Sequence, residues 1–265
     1  MRSRLPLVLC LLSLVRPAFA SDGVLEINQT CAAGAGCFSG DSANFPVQIT
    51  QPGSYRLTSN LTVPNETTDG IVVSTSDVGI DLNNFAILGP VTCSGAPLVC
   101  TPATGTGSGV ERVSSLNRGI SVKNGSITGM GANGVLLGDQ AEVTNLRVRW
   151  NRFNGISVGN GATVSGNTAN SNGSIGIFGS LGSTVSGNTA YSNGSDGISS
   201  GSGCIVRGNT VRFNLGFGLN LATDSAYSDN VVTSNTTGAV TGLGSANSRG
   251  GNYCDGTGTV SAFCP

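Results

Sequence analysis

The sequence predicts an all-β solenoid, a parallel β-helix of about eight or nine coils with roughly 21 residues in each coil. Three observations lead to this prediction. The 265 residues include 41 glycines and only 10% charged residues, so the side chains that favour exposed helices are scarce. The motif Gly-Asn-Thr recurs at a constant interval, at positions 166–168, 187–189 and 208–210. The segments between these glycines and asparagines are short, β-branched and alternately polar and apolar.

Residues 1–20 have the pattern of a signal peptide. Arg2 and Arg4 precede an apolar run over residues 5–15, and Ala18-Phe19-Ala20 has the small-residue pattern of a cleavage site. The apolar run is too short to span a bilayer and no later run is long enough, so no membrane span is predicted. We therefore expect a secreted, periplasmic or extracellular protein, in a compartment where disulfide bonds persist.

The two ends of the chain differ from the repeat. An open solenoid end exposes strand edges and core, so we expect a cap at each end. Residues 21–46 are predicted to form the N-terminal cap, and residues 238–265 the last coil with the C-terminal cap. The β-helix is predicted over 47–237, with an inserted loop at 90–117 that interrupts the repeat. Insertions in solenoids emerge as loops on one face, which is often the binding face.

Seven of the eight cysteines lie after the signal peptide. Local pairing is the simplest prediction, although connectivity cannot be read from a sequence. The predicted pairs are Cys31 with Cys37, Cys93 with Cys100 and Cys254 with Cys264, which leaves Cys204 alone. The chain has no histidine and no Cys-x-x-Cys pair, so neither a metal site nor a cofactor is predicted.

The regular block runs from about residue 119 to residue 237. Two asparagine columns and one glycine column follow the period of the motif: Asn151, Asn172, Asn193, Asn214 and Asn235; Asn167, Asn188, Asn209 and Asn230; Gly134, Gly155, Gly176, Gly197 and Gly218. Asparagine tolerates the left-handed backbone of a tight corner and can stack amide on amide, so we predict two corner ladders. We interpret the glycines as residues that turn geometry requires.

This periodic Asn/Gly coil resembles the right-handed parallel β-helix of the pectate-lyase-like superfamily. The stretches 23–31, 52–57 and 80–83 resemble secreted bacterial β-helix repeat proteins of unassigned activity. The resemblance covers nearly the whole mature chain and implies a right-handed parallel β-helix solenoid. It selects no single function, because this fold carries lyases, hydrolases, epimerases, adhesins and scaffolds.

The catalytic motifs of enzymes with this fold are absent from the chain. It lacks the Asp-Asp pair and the Gly-His-Gly of polygalacturonase-type hydrolases, and the Asp-Pro-His-Asp of hexuronate epimerases. No two acidic residues of the regular block are one period apart, so a stacked carboxylate cluster is not encoded there. We assign no catalytic residue and predict a non-catalytic glycan-binding protein or cell-surface scaffold. The alternative is a polysaccharide lyase or another sugar-active enzyme that acts on an acidic polysaccharide.

One stripe of side chains is the candidate binding surface. If the column that starts at Val148 and recurs once per period points inward, strand alternation turns its neighbours outward. The outward residues that suit an anionic polysaccharide are Arg147, Arg149, Asn170, Tyr191 and Arg212. Arginine binds carboxylate or sulfate groups in a bidentate manner. The alternative interpretation is an ordinary solvated face.

The charge balance narrows the class of partner. Loss of the signal peptide would leave ten basic and fourteen acidic residues with no basic run, which is unfavourable for binding nucleic acid. The expected partner is therefore a polysaccharide or a cell-surface glycan. We expect a monomer, because the predicted caps keep the strand edges from pairing with a second copy.

Overall fold

The fold is a parallel β-solenoid of about ten turns with roughly 21 residues per turn, as the sequence predicts. The structure is a computed structural model and describes residues 23–242 and 246–255. In the regular coils, three strands alternate with three turns, and each strand pairs in parallel with its equivalents in the neighbouring coils. The sequence predicts eight or nine coils, slightly fewer than the structure contains.

The described residues form 28 strands and one short helix. In chain order these are β1 (Val24–Ile27), α1 (Gln29–Ala32), β2 (Val47–Ile49), β3 (Gly53–Leu57), β4 (Leu61–Thr62), β5 (Ile71–Val73), β6 (Val78–Asp81), β7 (Ala86–Leu88), β8 (Thr92–Ser94), β9 (Val99–Thr101), β10 (Val110–Arg112), β11 (Ser121–Thr128), β12 (Val135–Leu136), β13 (Glu142–Arg149), β14 (Ile156–Val158), β15 (Thr163–Ser165), β16 (Thr168–Asn170), β17 (Ile177–Gly179), β18 (Thr184–Ser186), β19 (Thr189–Tyr191), β20 (Ile198–Ser200), β21 (Ile205–Arg207), β22 (Thr210–Arg212), β23 (Phe217–Leu221), β24 (Ala226–Ser228), β25 (Val231–Thr233), β26 (Gly238–Gly242), β27 (Asn247–Ser248) and β28 (Tyr253–Cys254).

Three faces run along the solenoid axis, and the chain passes from face B to face A to face C in each regular coil. Face B is a nine-stranded sheet of β2, β5, β10, β12, β14, β17, β20, β23 and β26. Faces A and C belong to one 17-stranded sheet, because β11 and β13 run from one face into the other without a break. Face A consists of β1, β3, β6, β15, β18, β21, β24 and β27 with the first halves of β11 and β13. Face C consists of β4, β7, β16, β19, β22, β25 and β28 with the second halves of β11 and β13.

The core is built from columns of apolar side chains that the repeat stacks in register. On face A, Val143, Val164, Val185 and Val206 pair in successive strands, and all are fully buried. Burying one such side chain stabilises the fold by about 1.5–3 kcal/mol. A slip of one residue would turn the whole column toward solvent, so the hydrophobic pattern determines the register.

Two corners carry the predicted asparagine ladders. At the corner between faces A and C, residues with positive φ such as Gly187 at 65° turn the chain directly before a buried asparagine. The side-chain Nδ2 of Asn167 donates to Oδ1 of Asn188 at 3.0 Å, and Nδ2 of Asn188 donates to Oδ1 of Asn209 at 3.1 Å. The corner between faces C and B has the same arrangement, with Ser192 at φ 55° directly before the second ladder. Both columns therefore shape corners and connect coils.

The glycines of the column that includes Gly176 are required for a reason other than the predicted turn geometry. Its members do not have positive φ. A Cβ on Gly176 would lie 2.6 Å from Nδ2 of Asn193 and 2.6 Å from the carbonyl oxygen of Gly197. The turn interpretation is wrong for this column: glycine is required because the next coil and its ladder approach the backbone too closely for a side chain.

Regular strands lie inside two segments that the sequence assigns to a cap and a loop. Strand β1, within 21–46, pairs in parallel with β3 on face A. Strand β10, within 90–117, pairs with β5 and β12 on face B, so the insertion ends before Val110. An antiparallel hairpin of β8 and β9 precedes it. The repeat is hidden here because the turn after β10 is longer than the equivalent turns of the regular coils.

Two of the three predicted local disulfide pairs lie within the described residues, and both are confirmed. Disulfide bonds join Cys31 to Cys37 and Cys93 to Cys100. Cys254 is also disulfide-bonded, while Cys264 and the predicted signal peptide lie outside the described residues. The thiol of Cys204 is free and buried, and burial raises its pKa. In the part of the chain that the structure describes, no helix is long and apolar enough to cross a membrane.

Candidate functional site

The five predicted binding residues lie together on face C. They belong to two outward columns, which we call the face C stripe: Arg147, Thr168, Thr189 and Thr210, and beside them Arg149, Asn170, Tyr191 and Arg212. The column between them, which starts at Val148, is fully buried. Adjacent coils are about 4.8 Å apart, so Arg149 and Arg212 are separated by about 14 Å along the axis.

The stripe carries positive charge without a balancing acid. Neither of its columns contains an aspartate or a glutamate. Among the residues that the structure describes, the one salt bridge joins Arg56 to Glu26 at 3.1 Å, on face A. The arginines of the stripe therefore remain available to an external anion.

Aromatic rings support the two arginines of the second column. The guanidinium carbon of Arg149 lies 4.5 Å from the ring centroid of Trp150, and that of Arg212 lies 5.0 Å from the ring centroid of Phe213. A cation over a ring face gains about 0.5–1 kcal/mol at exposed sites. A guanidinium that contacts a ring through its flat face keeps its N–H edge for bidentate binding of a carboxylate.

A shallow hollow of ≈ 470 Å³ lies over the first half of the stripe. Its lining consists of Ser126, Arg147, Val148, Arg149, Thr168 and Asn170. Hydroxyl, amide and guanidinium groups thus surround one space, and all three can donate hydrogen bonds. The hollow is suited to a ligand that carries both hydroxyl groups and negative charge.

Face A carries a second groove with a different charge pattern. It has a volume of ≈ 360 Å³ and includes Arg56, Asp81 and Lys123 in its lining. Arg56 already pairs with Glu26, and Lys123 stands beside Asp81 in the adjacent strand. Each cation of this groove has an acid close by, so the groove is less suited to a polyanion than face C.

Two half-buried carboxyls, Asp69 and Glu111, lie at and beside face B, outside the regular block whose period the sequence shows. Asp69 precedes β5 and Glu111 lies in β10, two neighbouring strands of face B. The backbone N–H of Ser108 donates to Oδ1 of Asp69 at 2.6 Å. Burial raises the pKa of both carboxyls, and the charge of Asp69 raises the pKa of Glu111 further, against the opposite effects of Ser108 and Arg112.

The insertion explains why this pair was missed. Strands β5 and β10 are neighbours across the inserted segment, so the constant period of the regular block does not relate Asp69 to Glu111. An alignment of the coil before the insertion with the coil after it places Asp69 and Glu111 in neighbouring coils. In residues 23–242 and 246–255, no group of three or more His, Cys, Asp or Glu side chains could hold a metal ion.

The raised pKa of Glu111 predicts a pH-dependent loss of stability. Because the folded chain holds this proton more tightly, the stabilising contribution is complete below the ordinary glutamate pKa of 4.5 and is lost as the pH rises through the raised pKa of the folded state. Glu111→Gln removes the charge, so we expect it to melt at a higher temperature than the wild type at pH 7. The difference should shrink as the pH falls to about 4.

Thermal melts between pH 4 and pH 7 test this expectation. Glu142→Gln, at an exposed position of face A, is the matched control and should show no comparable gain. A Glu111→Gln protein that melts below the wild type at pH 7 would show that the carboxylate stabilises the fold.

A model of a protein family, described as right handed beta helix region, matches residues 108–253. The chain belongs to this right-handed β-helix family. The match extends from just before β10 into β28 and so includes every coil that carries the face C stripe. No curated protein matches the chain.

Solved structures show the same fold at low sequence identity. The A-module of the Azotobacter vinelandii mannuronan C-5 epimerase AlgE4 is 15% identical, with a TM-score of 0.53 over 89% of this chain and 78% of that one. The pectate lyase Pel9A is 15% identical, with a TM-score of 0.54 over 91% of this chain and 78% of that one. At 15% identity the likeness of these two structures to this chain shows a shared fold alone.

Proposed function

We propose that this chain is an exported, non-catalytic β-helix protein that binds an acidic polysaccharide along the face C stripe. The observation that carries the proposal is the column of Arg149, Asn170, Tyr191 and Arg212, which is in register over four coils of a stripe whose two columns hold no acid. Arginines so spaced match a polymer with repeated carboxylate or sulfate groups. The threonines, the asparagine and the tyrosine between them provide hydrogen bonds and a stacking surface for sugar rings.

The structural neighbours, the disulfide bonds and the signal-peptide pattern support a carbohydrate ligand outside the cell. The two structural neighbours are named as a mannuronan epimerase and a pectate lyase, which is consistent with a carbohydrate polymer. The two disulfide bonds suit a secreted or periplasmic protein, as does the signal-peptide pattern of residues 1–20. We propose that the protein acts as a monomer, with the solenoid axis lying along the polymer.

The non-catalytic assignment rests on the composition of the stripe. General acid–base chemistry on a glycosidic bond needs a group that exchanges a proton near the working pH. The chain has no histidine, and the stripe has no carboxylate. The alternative is a polysaccharide lyase in which Arg147 or Arg149 acts as the base, because both line the hollow on the stripe.

Binding of a linear polyuronate by isothermal titration calorimetry tests the proposal. Arg149→Ala combined with Arg212→Ala should weaken binding about a hundredfold, since two charge-assisted contacts of about 1.5 kcal/mol each are lost. The wild-type affinity should also fall as the salt concentration rises.

The matched control removes the same charge from other parts of the surface. Arg118→Ala combined with Arg207→Ala changes two exposed arginines outside face C and should leave binding close to that of the wild type. Equal affinities of the two double variants would contradict the proposal. The absorbance of unsaturated uronate products, followed in the same samples, discriminates the alternative: product formation by the wild type would favour the lyase.

A further inference from the structure

The hairpin of β8 and β9 is attached to the corner between faces C and B, beside the stripe. Its disulfide lies over the backbone of that corner. Sγ of Cys93 is 3.8 Å from the carbonyl oxygen of Asn151, and Sγ of Cys100 is 2.9 Å from the position of a Cβ on Gly173. Nε of Arg152 donates at 2.7 Å to a backbone carbonyl just after the hairpin. These contacts hold the hairpin against successive coils.

A slot of ≈ 440 Å³ separates this hairpin from the second half of the stripe. Residues 93–96 and Leu98 of the hairpin contribute one wall, and Tyr191 and Phe213 lie on the other. The two aromatic side chains are 40% and 43% exposed, and their ring centroids are 5.4 Å apart in an edge-to-face arrangement. The guanidinium of Arg212 lies at the same place, over the ring of Phe213.

Phe213 departs from the repeat at this point. The equivalent positions of the nearest coils are serines with φ of 51°, 55° and 56°, and Phe213 has φ 57°. A bulky residue with positive φ is uncommon, and the corner itself needs only a small polar one. The other bulky residue in this column is Trp150, which supports Arg149. In the neighbouring column, Tyr191 stands where the preceding coil has Asn170. The chain therefore exposes two large aromatic rings where the hairpin faces them, which indicates a surface for a ligand.

We propose that this slot is the specificity-determining subsite of the stripe and takes one sugar ring of a linear uronate-containing strand. The inference rests on the proposed function. The sugar ring packs against the aromatic wall of Tyr191 and Phe213, its carboxylate binds Arg212, and the next acidic groups reach the hollow at Arg147 and Arg149. The ligand spans about three coils, or about 14 Å, so a monosaccharide is too short. The hairpin closes one side of the slot and excludes a branch at this sugar.

Restoring the repeat residue tests the subsite with little risk to folding. Phe213→Ser installs the residue that Ser171 and Ser192 already supply at the same corner. We expect it to weaken binding of a linear hexauronate about tenfold. Binding of a polyglutamate peptide, which has charge but no sugar ring, should weaken by about threefold at most, because only the contact of Phe213 with Arg212 is lost. The matched control is Ile205→Thr, an exposed apolar residue of face A whose equivalent in the previous coil is Thr184. It should bind both probes like the wild type.

A second variant opens the other wall of the slot. Cys93→Ser combined with Cys100→Ser removes the hairpin disulfide and should weaken hexauronate binding in the same direction. Wild-type affinity in both this variant and Phe213→Ser, together with loss of binding in the Arg149→Ala and Arg212→Ala double variant, would overturn the subsite and leave the proposed function standing. A wild-type protein that binds no acidic oligosaccharide would overturn both.

Discussion

Replacing Asn188 with alanine is expected to lower the free energy of unfolding by about 3 kcal/mol. The buried Asn188 side chain makes four hydrogen bonds. Its Nδ2 donates to the carbonyl oxygen of Val164 at 2.9 Å and to Oδ1 of Asn209 at 3.1 Å. Its Oδ1 accepts from the backbone N–H of Asn167 at 2.9 Å and from Nδ2 of Asn167 at 3.0 Å. Alanine leaves several of these buried partners unsatisfied, each at a cost of about 1–3 kcal/mol.

Urea denaturation followed by circular dichroism measures this loss. The control is Asn170→Ala, the same substitution at a half-buried position, where the described residues provide no side-chain hydrogen bond. It should change the stability by less than about 0.5 kcal/mol. Similar losses in the two variants would mean that the ladder contributes no more than a surface asparagine.

Gly176→Ala is the second substitution with a large expected effect, a loss of about 3 kcal/mol. The added methyl group would collide with Nδ2 of Asn193 and with the carbonyl oxygen of Gly197, both at 2.6 Å. Nδ2 of Asn193 cannot move without disturbing the second ladder, because it donates to Ala169 and to Asn214. The carbonyl oxygen of Gly197 is fixed by the backbone N–H of Ile177, which donates to it at 3.0 Å. We therefore expect a lower denaturation midpoint, measured in urea as for the ladder variant.

Gly182, a glycine with positive φ and open space around it, supplies the comparison. Gly182 has φ 65° and no atom within 4 Å of a Cβ, so Gly182→Ala tests left-handed backbone strain alone. Its cost should be about 1–2 kcal/mol. If Gly182→Ala were as destabilising as Gly176→Ala, the close approach of the coils would not be the reason for the glycine column.

The periodic part of the molecule could be predicted from the sequence because each periodic position has one environment. The valine columns are buried, both asparagine columns form ladders, and the arginines of the stripe project from one face. In each case strand alternation and a constant period were sufficient to predict which way the side chain points. The glycine column shows the limit: its period was evident, but the cause depends on the distance between adjacent coils.

The aperiodic part could not be predicted in the same way. The position of the hairpin depends on contacts such as that of Arg152 with the backbone after β9, and no period relates these residues. The slot beside Phe213 and the carboxylate pair of Asp69 and Glu111 both depend on where the inserted segment returns to the coils. Tertiary packing decided these features, and the constant period of the regular coils does not specify them.

The constant register also makes the coil a unit of length. Equivalent positions recur in every regular coil, so a complete coil can be added or removed while like residues still join like residues. Each such change would lengthen or shorten the face C stripe by about 4.8 Å and by one residue in each column. The size of the polymer segment that a protein of this kind accommodates is therefore set by the copy number of its repeat, separately from the chemistry of any one side chain.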